Sequence, residues 1–87
     1  MCTTIASTAA VTGSGKGANG WFHVDQVFLG YDHPFHARLE HAVSVDFVNE
    51  ATSTKNRLAV ELSRESAREL AHRLLAIVDE ADAFESC

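Results

Sequence analysis

The sequence predicts an α+β fold, a four-stranded antiparallel meander with one C-terminal helix packed on one face. Three observations predict it. Short runs of alternating apolar residues, separated by polar or glycine-rich turns, fill the chain up to Leu62. Apolar residues at helical spacing fill the chain beyond it. Ser63 stands at the change of period, and serine is a strong helix N-cap.

The first strand is read over residues 3–11, where Ile5, Ala9 and Val11 share one parity among small and β-branched residues. Gly13-Ser14-Gly15-Lys16-Gly17-Ala18-Asn19-Gly20 follows and reads as a flexible hairpin loop. It is not a nucleotide-binding loop. A Walker A sequence places Lys-Ser/Thr at the head of a helix, whereas here Gly17 follows Lys16 and the next element is a strand.

That second strand spans Trp21 to Tyr31. Phe22, Val24 and Phe28 have one parity and Trp21, Val27, Leu29 and Tyr31 the other, so both faces carry apolar weight. Asp32-His33-Pro34-Phe35-His36-Ala37 is a turn, because Pro34 lacks an N–H and biases His33 away from helix. The third strand is read from Leu39 to Val48, with Leu39, His41, Val43, Val45 and Phe47 alternating against mostly polar neighbours. Residues 49–56 are polar and reverse the chain, and Leu58, Val60 and Leu62 mark a fourth strand. In the helix after Ser63, Ala67, Leu70, Ala71, Leu74, Ile77, Val78 and Ala81 form the apolar stripe. Acidic residues crowd its C-terminal end against the macrodipole, so packing rather than charge placement has to hold that end.

Composition narrows function. With 87 residues, 46% of them apolar, the chain is read as one globular domain over 1–87 with a modest core, to which a metal, a disulfide or a partner subunit would add meaningfully. Seven basic residues against twelve acidic ones, a net charge of -5, leave no footprint for nucleic acid. No apolar run is long enough for a membrane span and the N-terminus lacks the basic start of a signal peptide, so a cytoplasmic protein is expected. Cys2 and Cys87 are then free thiols or ligands more readily than a disulfide.

A meander places the turn after the second strand, the start of the first strand and the start of the helix at one end of the sheet. Cys2, His33, His36 and His41 all fall there, and a thiolate with three imidazoles is a sensible tetrahedral set for Zn2+, with copper or iron also suited. Asp32 and Glu40 are placed to orient such imidazoles. The leading functional expectation is therefore a small metal-binding protein. Without metal, His33 and His36 are solvated loop residues, His41 is a hydrogen-bonded core histidine and Cys2 is a terminal residue. The alternative is an interaction module, a homodimer or accessory subunit, joined through the sheet face that a single helix leaves open.

The Met1-Cys2-Thr3 start, the Val11-to-Gly17 run, Gly20-Trp21, the Tyr31-Asp32-His33-Pro34-Phe35-His36-Ala37 stretch and Glu40-His41 together resemble a small bacterial family of unknown function. The resemblance spans nearly the whole chain. It implies one full-length domain and brings no reaction, ligand or partner with it.

Overall fold

A computed structural model describes residues 5–52 and 56–86. Four strands, β1 (Ile5–Gly17), β2 (Gly20–Asp32), β3 (Ala42–Val48) and β4 (Arg57–Leu62), form one antiparallel sheet in the order β1-β2-β3-β4, and α1 (Arg64–Glu85) follows. This is the predicted meander and the predicted C-terminal helix, which contacts β3 and β4.

The glycine-rich run departs from expectation, because it is strand rather than loop. β1 continues through Gly13, Gly15 and Gly17, paired with Val24, Phe22 and Gly20, after a bulge between Ala10 and Gly13. Only Ala18 and Asn19 form the turn, and the positive φ of 105° falls on Gly20. Packing explains Gly15 and Gly17 better than flexibility does. A Cβ on Gly15 would lie 3.2 Å from Val24 Cγ2, and one on Gly17 would lie 3.3 Å from the Phe22 ring and 3.5 Å from the Arg57 carbonyl oxygen. The sheet therefore coils until the end of β1 approaches the start of β4, and bare backbone closes over Phe22.

Inside that curl lie Phe22 and Val24, which with Val27, Ala42 and Val48 are the buried apolar residues among those described. Arg57 closes the same region with an ion pair to Asp46 across β3 and β4. The register puts Ile5, Tyr31, Val43 and Leu62 in one row, Leu29, Val45 and Val60 in the next, and Val27, Phe47 and Leu58 beyond them. Cross-strand partners share a face, so these rows form one nearly continuous apolar surface. It is partly open: Ile5, Leu29, Leu58 and Val60 are exposed, Tyr31, Val43, Val45, Phe47 and Leu62 are half-buried, and Val27 is buried.

β3 begins at Ala42 rather than Leu39, and residues 33–41 form the connection from β2. After β3 the chain makes a 3-10 turn (Glu50–Thr52) tied to β2, where the Asp25 carboxylate accepts from the Glu50 N–H at 2.9 Å. At the helix start the Ser63 hydroxyl accepts from the Ser66 N–H at 3.1 Å, the predicted cap. The helix then leaves the sheet. Ala67 is half-buried, but no residue of α1 is fully buried, and Leu70, Leu74, Leu75, Ile77, Val78 and Phe84 are exposed. The Cα radius of gyration is 14.8 Å, against about 12 Å for a compact chain of this length.

Candidate functional site

The expected end of the sheet is assembled as the meander required. Ile5 pairs with Tyr31, Asp32 with Ala42, and Val43 with Leu62, so the first described residue, the 33–41 connection and the head of α1 lie together. Cys2 and Cys87 lie outside the described residues.

Of the candidate ligands, His33 and His41 come together. Their rings stack with centroids 4.6 Å apart at 26°, and Tyr31 stacks on the other partner, 5.5 Å from His41. The contact follows from the fold, because His33 is the first residue after β2 and His41 the last before β3, and the Asp32–Ala42 pair holds their neighbours side by side. His33 Nδ1 lies 2.8 Å from the Glu40 carbonyl oxygen. A carbonyl only accepts, so Nδ1 donates in this contact and Nε2 is the ring nitrogen left for any other partner. The orienting group at Glu40 is thus its backbone rather than its carboxylate. Asp32 instead uses its carboxylate to accept the His33 backbone N–H at 2.8 Å.

His36 sits elsewhere in the connection, where sequence reasoning missed the organising residue. The Glu61 carboxylate accepts three successive backbone N–H groups, from Phe35 at 2.5 Å, His36 at 2.9 Å and Ala37 at 3.1 Å. These three donors, with the nearby charge of His36, hold the Glu61 carboxyl below the usual carboxylate range. In the sequence Glu61 is only the polar alternate of β4. The signal that could have found it is the meander register, which brings Glu61 beside Ser44 on the face over which the connection folds.

Among the described residues no three His, Cys, Asp or Glu side chains converge as a metal-holding group. Two stacked imidazoles direct their in-plane lone pairs past one another, so His33 and His41 would have to unstack to reach one ion at about 2.0–2.1 Å. Around them the connection is well exposed, Phe35 most of all. No helix among the described residues is long and apolar enough to cross a membrane.

DUF6295, a family of unknown function, matches residues 1–86. The chain belongs to that family. No curated protein and no solved structure matches it. The DUF6295 match covers the sheet, the 33–41 connection and the helix together.

Proposed function

We propose that this chain is an interaction module that assembles with a second copy of itself. The observation that carries the reading is that the apolar stripe of α1 stands open and that Ile5, Leu29, Leu58 and Val60 of the apolar row face are exposed beside it in one chain. Monomeric soluble proteins rarely leave contiguous apolar patches beyond a few hundred square ångströms uncovered. The accessible surface is 7028 Å². A compact monomer of this length exposes about 5,000 Å², and the surplus exceeds the roughly 800 Å² per partner of an ordinary stable interface. Sedimentation equilibrium across a concentration series, with and without a chelator, tests this. A mass of two chains that ignores the chelator is expected; a single-chain mass at about 100 μM, where even weak specific interfaces of micromolar affinity are filled, refutes it.

A second reading has its own support. His33 is oriented through Nδ1 in the manner of a metal ligand, and His41, stacked on it, would join it by turning out of the stack. On this reading His33, His36 and His41 with Cys2 bind a soft or borderline cation, Zn2+ first and copper or iron next. Metal analysis of purified protein beside His33→Ala and Cys2→Ala variants decides it. Occupancy near zero in the parent protein retires the metal reading and leaves the assembly reading untouched.

A further inference from the structure

Within the assembly reading, on which this rests, α1 carries information about how the two copies meet. Ala67, Leu70, Leu74, Ile77, Ala81 and Phe84 recur at alternating steps of three and four, the seam of a two-stranded coiled coil. All but the half-buried Ala67 stand exposed or flank exposed neighbours, along a helix of about 33 Å.

We infer that α1 pairs antiparallel with α1 of a second copy, with Leu74 of each chain packed against Ile77 of the other at the centre. That register sets Leu70 against Ala81 and Ala67 against Phe84, so each large seam residue away from the centre meets a small one. Every layer then has a similar volume, as close packing requires. A parallel pair instead stacks Phe84 on Phe84 and Ala67 on Ala67, leaving one layer overfilled and another hollow.

The flanking charges select the same arrangement independently. In an antiparallel pair the positions preceding the seam face one another, which brings Arg73 of each chain to Glu80 of the other. The positions following the seam bring Arg64 to Glu85 and Ala71 to Val78. Each ionic contact joins opposite charges, and each occurs twice by symmetry. In a parallel pair Arg73 meets Val78, and Glu80 meets Glu85.

The sheet end agrees as well. Arg64 lines a shallow cavity of about 480 Å³ with Ile5, Leu29, Tyr31 and Val43 on the open apolar face. The antiparallel register delivers Phe84 and Glu85 of the second copy to that place, the aromatic ring to the apolar wall and the carboxylate to Arg64. One contact thereby covers both the helix stripe and the nearer part of the sheet face.

The test uses full-length chains and sedimentation. Arg73→Glu and Glu80→Arg, each alone, should weaken self-association about tenfold, because each turns two attractions into two repulsions. An equimolar mixture of those two variants should associate more tightly than either alone, and the double variant R73E/E80R, whose net charge is that of the parent, should return to within about twofold of it. Arg73→Glu also removes the Arg73–Glu69 bond within the helix, so helix content is followed by circular dichroism, while Glu80→Arg leaves that bond alone. Leu74→Glu should give single chains with the sheet intact. A two-chain mass that survives Leu74→Glu, with affinity unmoved by the charge variants, overturns the helix pairing and leaves assembly through the sheet standing. A parent protein that never associates overturns both.

Discussion

Phe22→Ala should be among the most damaging single truncations in this chain, and the neighbouring Trp21→Ala among the mildest. Phe22 is 8% exposed and Trp21 71%, although the tryptophan is the larger apolar residue. A phenylalanine side chain buries about 150–200 Å², which at about 25 cal/mol per Å² bounds its contribution near 4–5 kcal/mol. Truncations of this kind in well-packed cores cost about 3–5 kcal/mol. The sheet here is thin and its curl can partly close over the void, so about 3 kcal/mol is expected. A chain of this length has only about 4–13 kcal/mol of total stability, so that loss is a large share of it. With a urea slope of about 1 kcal/mol/M, the midpoint should fall by about 3 M for Phe22→Ala. Trp21→Ala should move stability by less than about 0.5 kcal/mol. Urea unfolding followed by circular dichroism gives both numbers, at one fixed protein concentration, since self-association contributes by mass action. If Trp21→Ala proves costlier than Phe22→Ala, the curl of glycine backbone around Phe22 is not what holds the sheet.

Three further outcomes follow from particular contacts. Glu61 has its carboxyl lowered from the ordinary value of 4.5 in the folded chain, so its contribution is present above that range and is lost as pH falls through the folded value. Amide exchange at Phe35, His36 and Ala37 should therefore be faster in Glu61→Gln than in the parent at neutral pH, with the gap closing in acid; a gap that ignores pH rejects the charged anchor. Ser63→Ala removes the hydroxyl that accepts from Ser66 and should cost about 1 kcal/mol in the same urea assay, where a neutral result would show that the cap is idle. Gly20→Ala forces a Cβ onto a backbone at φ 105° and should cost about 1–2 kcal/mol, although nothing crowds the site; an unchanged midpoint would mean that the turn reshapes freely.

Much of the fold was legible in residue order because parity and helical period are local properties. Leu58, Val60 and Leu62 announce a strand with one apolar face, and Ser63 followed by Ala67 and Leu70 announces a capped helix, whatever surrounds them. The meander then follows from short connections, and with it the end of the sheet where His33 and His41 meet. The glycine run was misread for a reason of the same kind. Glycine has no side chain with which to declare a face, and its place in β1 depends on what Phe22 and Val24, across the strand pair, need above them.

By itself, then, the order of residues determined the element types, their succession and the two apolar stripes, since each is a pattern over neighbouring positions. Only the tertiary structure decided which patterns are buried. Phe22 and Trp21 are adjacent and similar in character, yet the coil of the sheet encloses one and leaves the other in water. It likewise decided that Glu61, one polar alternate among several, anchors three N–H groups more than twenty positions away. Burial and long-range hydrogen bonding depend on how far the sheet curls and where α1 points, and those are set by the sum of many weak contacts across the chain rather than by any short stretch of it.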